Sequence, residues 1–452
     1  MNLLPKHIVL YFFVFAFSTI TAQGEFSIKR NKSEKIRFKL INNLMIIPVS
    51  INGVTLSFVL DTGVSKPILF NLADSDSLEV KNVETIFLHG LGSGGKIEAL
   101  KSNGNRFTVG NATKENQTMY VVYDNNLDFG LRLGLPIHGI IGYDLFKDFI
   151  VEVNYTSTYI RLHNRKFFKP KTSKKWKQIP IDIIKRKPYI NAKVTIGDSK
   201  TIVKLLIDTG GSDALWLFEE EKKGLVPDKN LYFDDYLGAG LSGAVYGKRS
   251  KVAALELSDF QLNKVNVAYP DSTSIALARK QKNRNGSIAG GILKRFNYFF
   301  DYNNEMLYLK KNYQFKTPFY YNNSGITFQH NGVRVVKQQI NKINRGSYTS
   351  KNNENAKQID FSINYVYSLK PAFQIVEIRE TSNAYKVGLR KGDVLISING
   401  KPSYNLDLNK INASLYNKEG KVVTLRIERN QKQIKYQFKL DNVFKKQELS
   451  KK

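Results

Sequence analysis

Apolar and polar residues alternate over short runs separated by turn residues, the period-two signature of half-buried β-strands. Val54, Leu56, Phe58 and Leu60 alternate with Thr55, Ser57 and Val59, and Thr201 to Ile207 is similarly rich in β-formers. A hairpin signal precedes each run, Asn52-Gly53 in the first and Gly197-Asp198 in the second. From Phe26 to Asn164 the pattern is strand and turn, with a helical run only near Leu72 to Val80, and Ile150 to Leu162 reads as a strand pair turned at Thr156-Ser157. Asn297 to Leu309 reads as the counterpart of that pair, its aromatics Tyr298, Phe299, Phe300, Tyr302 and Tyr308 expected in the core. Phe218 to Lys223 predicts a short helix stopped by Gly224.

The two strand runs end on the same residues. Leu60-Asp61-Thr62-Gly63 returns 147 residues later as Ile207-Asp208-Thr209-Gly210, so each copy puts a carboxylate at the end of a strand and a glycine in the turn after it. Other features keep step: the glycine-rich loops Gly90 to Gly95 and Gly238 to Gly243, then Gly139-Ile140-Ile141-Gly142 and Gly286 to Gly291, then Asn154-Tyr155 and Asp301-Tyr302. The repeat unit is a whole lobe. Lobe one is expected over 23–165 and lobe two over 178–315, with the basic, proline-containing stretch 166–177 as linker.

At these residues the chain resembles the aspartic proteases of the pepsin and retropepsin type. The resemblance implies a mainly β, bilobal pepsin-like fold in which Asp61 and Asp208, one from each lobe, form the catalytic pair. Thr62 and Thr209 would tie the two loops together by hydroxyl-to-backbone hydrogen bonds, while Gly63 and Gly210 let the loops approach. Ile140-Ile141-Gly142 and Ile288-Ala289-Gly290 fit the hydrophobic segments that brace such loops. Both glycine-rich loops also match the dinucleotide fingerprint Gly-x-Gly-x-x-Gly, but neither is followed by the long helix that fingerprint needs. They read instead as hairpin tips over a cleft, with Gly92, Ser93, Gly94, Gly240 and Ser242 as flap candidates, although the first loop lacks the tyrosine that pepsins carry there.

Past Pro318 the pattern changes. Ala384 to Gly400 strongly resembles the central signature of PDZ domains: a short helix, Gly388-Leu389, Gly392-Asp393, then a strand ending in Asn399-Gly400. Leu406 to Tyr416 fits the helix that walls the PDZ groove, and Val422 to Glu428 and Ile434 to Leu440 fit the last strands. The domain is expected over 318–442, followed by a basic tail, 443–452. Ser324 to Phe328 would be its carboxylate-binding loop, a nest of backbone N–H groups with Gly325, Ile326 and Phe328 as peptide-binding candidates. Gln338 to Lys357, rich in Asn, Lys and Ser, reads as a disordered insertion.

Composition narrows the function. Lys+Arg 69 against Asp+Glu 39 gives a net charge of +30, yet the basic residues are spread through every segment. That spread disfavours a dedicated nucleic-acid surface and leaves association with an anionic envelope as an expectation. Lys6, the apolar run Ile8 to Ile20 and Ile20-Thr21-Ala22 resemble a signal peptide over 1–22, implying export to periplasm or medium. Absence of cysteine removes disulfides and thiol nucleophiles, and the five histidines show no ligand spacing, so neither metal nor organic cofactor is expected.

Two carboxylates within hydrogen-bonding reach cannot both ionise, so one holds a proton while the other is a base able to activate water. Pepsin-like proteins place a hydroxyl directly after the glycine, whereas Val64 and Gly211 stand here; the lost donor predicts raised pKa values and a mildly acidic to near-neutral optimum. The expected protein is a monomeric aspartic endopeptidase acting on peptides or proteins, with a PDZ domain that captures chain termini. A non-catalytic envelope adaptor built on the same scaffold is the alternative.

Overall fold

The structure is a computed structural model that describes residues 24–29, 32–70, 78–92, 94–123, 133–170, 173–229, 231–344 and 360–444. The expected signal peptide (1–22), Ser93, most of the helical run near Leu72 and all but the first two residues of the tail lie outside them. Leu78 to Val80 are described and are not helical.

Each lobe is a β-sheet organised around its aspartate strand. In the first, a nine-stranded sheet, Val54–Leu60 forms a hairpin with Leu44–Ile51 and lies parallel to Gly139–Ile141. In the second, an eight-stranded sheet, Ser199–Asp208 forms a hairpin with Lys187–Ile196 and lies parallel to Gly286–Ala289. Asn52 and Gly53 take the first hairpin turn at φ 49° and 97°, the left-handed conformations that its tight two-residue connection requires. The alternation of Val54–Leu60 fails at its end, because Val59 is buried as well as Phe58 and Leu60. The two faces serve different clusters: Phe58 and Leu60 join the main core, while Val59 packs with Ile46, Ile68 and Phe70 on the other side.

The lobes are joined by a third, six-stranded sheet. Ile150–Asn154 of lobe one pairs antiparallel with Phe296–Asp301 of lobe two, with Val151 opposite Phe300 and Asn154 opposite Asn297. Tyr298, Phe299, Phe300, Tyr302 and Tyr308 are all buried here, so the aromatics fill core rather than line a ligand site. One hydrophobic cluster runs through both lobes and includes Leu60, Ile207, Ile288 and Phe300. Aspartate strands set on a common core have little freedom to move apart.

Phe218 to Lys223 is not one helix. Phe218 donates its amide to the Asn285 carbonyl at 2.7 Å, and only Glu221–Lys223 makes a 3-10 turn, which Gly224 ends at φ 67°. Tethering of the first residues to a neighbouring strand outweighs their local helical preference.

The C-terminal sheet has its own core, from Ile326 to Leu440. Its strands run in the order Ile326–Asn344, Asp360–Ile378, Val394–Ile398, Val422–Arg429 and Lys432–Lys439, with Lys401–Pro402 beside the third. Ser382 caps the helix Asn383–Lys386, and Asp407 caps Leu408–Leu415. Residues 338–344, expected to be disordered, instead continue the first of these strands and pair with Asp360 to Val366. Composition misleads there because cross-strand pairing supplies order that a polar segment lacks alone.

Candidate active site

The bracing segments hold the aspartate loops from behind. Asp61 donates its amide to the Ile141 carbonyl at 2.8 Å, and Asp208 lies opposite Ala289 in its ladder. The loops then interlock. Thr62 donates its amide to Thr209 Oγ1 (3.0 Å) and its hydroxyl to the Ile207 carbonyl (2.5 Å); Thr209 donates its amide to Thr62 Oγ1 (3.1 Å) and its hydroxyl to the Leu60 carbonyl (2.8 Å). Both threonines are fully buried. A Cβ on Gly210 would come within 2.2 Å of Asp61 Cγ, so no side chain fits between the loops there.

This brings Asp61 and Asp208 into direct electrostatic and hydrogen-bonding contact. Burial and then the Asp208 charge push the Asp61 carboxyl up to about 7. Asp208 is also raised by burial, opposed by the Arg284 charge and by the amides of Gly210 and Gly211. Gly63 donates to Asp61 at 2.6 Å and Gly210 to Asp208 at 3.0 Å. The pair titrates as a unit, holding one proton into the neutral range.

Two cations near the pair carry no sequence signal. Lys187 begins the strand after the Lys185-Arg186 turn and lowers the pKa of both aspartates; burial lowers its own. Arg284, beside the second bracing strand, donates to the Gly286 carbonyl at 3.2 Å and acts on Asp208. The turn has left-handed residues but neither Gly nor Asn to announce it.

The glycine-rich loops meet tip to tip across the lobes. They cap the hairpins Val83–His89 with Lys96–Val109, and Phe233–Gly240 with Gly243–Leu257. Ser242 is the clasp: its amide donates to the Leu91 carbonyl (2.9 Å), its carbonyl accepts from Gly94 (2.6 Å), and its hydroxyl accepts from Gly90 (2.9 Å) and donates to the Gly95 carbonyl (2.7 Å). Gly92 sits at φ 115°, where a Cβ would lie 2.5 Å from the Ser242 carbonyl, and a Cβ on Gly240 would lie 2.2 Å from the Leu91 oxygen. The flap candidates among the described residues thus form one contact. Leu91, Gly240 and both aspartates line a single cavity of about 1720 Å³.

Gly325 of the candidate PDZ loop is left-handed (φ 72°), and Ile326 and Phe328 are buried in the domain core while also lining this cavity. The expected nest of free amides is absent. Ser324 donates to Asn322 Oδ1 (3.2 Å), Gly325 to the Asn322 carbonyl (3.4 Å) and Ile326 to Ser324 Oγ (3.0 Å), so side-chain and main-chain acceptors of the loop itself take up donors that a ligand carboxylate would use.

Comparison with known proteins agrees with this reading of the parts. Residues 47–145 match the family model "Aspartyl protease", and residues 374–429 match "PDZ domain". No curated protein sequence matches the chain. Among solved structures it is similar to the aspartic proteinase from Irpex lacteus, at 15% identity over 63% of this chain and 99% of that one, with a TM-score of 0.38. Residues 47–145 are thus similar to aspartyl proteases and residues 374–429 to PDZ domains, within a mainly β chain of two lobes followed by a separate C-terminal sheet.

Proposed function

We propose that this protein is an aspartic endopeptidase that hydrolyses peptide bonds with a water held between Asp61 and Asp208, and that its PDZ domain recruits peptide or protein substrates. The observation that carries the reading is the pair itself: two carboxylates from different lobes in contact, with Asp61 held up to about 7. One carboxyl stays protonated and donates to the scissile carbonyl oxygen, while the other takes a proton from the attacking water. The resulting tetrahedral diol collapses with transfer of a proton to the leaving amine. The joined hairpin tips line the same cavity as the two aspartates, and in this reading they exclude bulk water and so strengthen every charge interaction within.

Export follows in this reading from the resemblance of the first 22 residues to a signal peptide, and the charge of +30 favours an anionic envelope surface. The protein is taken to act as a monomer, since one chain supplies both aspartates.

The test is incubation of the purified protein with a diverse peptide mixture across pH, beside Asp208→Asn. Cleavage by the native protein, and a loss of at least about a thousandfold in the variant with fold and peptide binding kept, supports the peptidase. Peptide binding without cleavage in either protein overturns it in favour of the adaptor.

A further inference from the structure

We propose that the PDZ groove and the catalytic cleft hold one substrate chain at the same time, its C-terminal carboxylate bound by Arg379, so that the cut is placed at a set distance from that terminus. This rests on the peptidase reading.

The groove opens along an edge. Ile326–Asn344 is the outermost strand of its sheet, and the helix Leu408–Leu415 packs beside it. A free strand edge next to a helix accepts an extended peptide by main-chain pairing. The two ends of the groove differ. At one, Asn323 Nδ2 donates to the Asn417 carbonyl at 2.7 Å, which sets the 322–325 loop against the C-terminal end of the helix. At the other, Asn409 is bound to lobe one: its Nδ2 donates to the Leu40 carbonyl (2.7 Å) and its Oδ1 accepts the Asn42 amide (2.8 Å). The next residue, Asn43, donates from Nδ2 to the carbonyl of Ser212 on the second catalytic loop at 2.6 Å. A peptide leaving the groove past Asn409 is thus delivered to the turn that touches the catalytic loop.

The space is continuous along this path. Gly325, Arg379, Tyr416, Asn409, Asn43 and Asp208 line the same cavity of about 1720 Å³. Sites for small ligands occupy roughly 300–1,000 Å³, so this one suits a polymer.

The terminus has a partner at the far end. Arg379 donates its amide to the Gly325 carbonyl at 2.8 Å and sets its guanidinium over Phe233, 5.8 Å from the ring centroid. Its Nη2 is buried with no hydrogen-bond partner. Asp441 and Asp235 act on the guanidinium by charge but do not hydrogen-bond Nη2, so this buried donor stays open and a substrate carboxylate answers it with a charge-assisted bond. With the amides of Ser324, Gly325 and Ile326 engaged internally, Arg379 Nη2 is a donor left open beside the loop.

The experiment uses the full chain and a random peptide library prepared with free C-termini and again with C-terminal amides. Mass spectrometry of products should show scissile bonds clustered at one distance from the free terminus. Amidation should abolish the clustering and raise KM about tenfold, which is about 1.4 kcal/mol. Arg379→Gln should lose the clustering on the acid library, and Arg379→Lys should restore part of it, circular dichroism showing both variants folded. Cut positions that scatter equally in both libraries, or clustering that survives Arg379→Gln, would overturn the proposal while leaving the peptidase intact. A readout without hydrolysis uses Asp208→Asn and peptides carrying a photoreactive residue at successive positions from the C-terminus. Labelling of residues 61–66 or 208–213 at one spacing, from free acids only, supports a single spanning chain. Labelling confined to 408–416 at every spacing, or equal from acids and amides, refutes it.

Discussion

Thr62 and Thr209 each donate a backbone amide to the other's hydroxyl, at 3.0 and 3.1 Å, and each hydroxyl donates onward to a carbonyl of the opposite strand. This reciprocal arrangement sets the separation of the two carboxylates, because each threonine precedes the glycine at the point of closest approach.

Thr62→Val keeps the volume and removes the hydroxyl. The Thr209 amide and the Ile207 carbonyl are then left buried without their partner, at about 1–3 kcal/mol for each unsatisfied group. Denaturant unfolding should show a loss of about 2–6 kcal/mol for the two groups together, and kcat/KM at a temperature where the variant is fully folded should still fall. Native activity in a folded variant would mean that the clasp does not position the pair.

The raised pKa of Asp61 gives a pH profile. One proton stays on the pair up to about 7, so kcat/KM should fall as pH rises through that value, when the acid is lost. The same shift acts on stability. Between about 4, the ordinary carboxylate value, and about 7 the folded state binds more protons than the unfolded state, so this pair makes stability rise on acidification through that window. A variant with asparagine at both positions should lack that contribution when unfolding is compared at about pH 4.5 and about pH 7.5, which span most of the window.

Lys187 lowers the pKa of the pair by its charge. Lys187→Met should therefore let the proton be held to higher pH, moving the alkaline limb of kcat/KM upward. A limb that moves downward contradicts this electrostatic role.

Ser242→Ala removes the hydroxyl that accepts from Gly90 and donates to the Gly95 carbonyl. Two bonds at roughly 1 kcal/mol each hold the hairpin tips together in addition to the main-chain pair, so the closed cover should be populated less. Peptide KM should rise by about fivefold or more while the pH profile stays in place, since the carboxylates are untouched. A displaced profile would place Ser242 in the titrating environment.

Much of the architecture is local in origin and was therefore legible in the chain. Alternation in Val54–Leu60, the Asn52-Gly53 turn and the repeat of Asp-Thr-Gly each depend on neighbours within a few residues, and the common spacing of aspartates, flap loops and bracing strands marks a duplicated lobe. What the local pattern does not carry is environment. Lys187 and Arg284 become partners of the aspartates only when strands far apart in sequence are laid side by side, and the pKa of Asp61 follows from burial and charge that no local window contains. The PDZ loop shows the same limit: Ser324 to Phe328 read as a candidate carboxylate-binding loop, but the engagement of its amides by Asn322 and Ser324, the placing of Arg379 beside it and the seating of Asn409 on Asn42 were set when separate elements packed. Strand and turn preference belong to short stretches of chain, whereas desolvation, charge proximity and a shared cavity are properties of surfaces that exist only after the chain has folded.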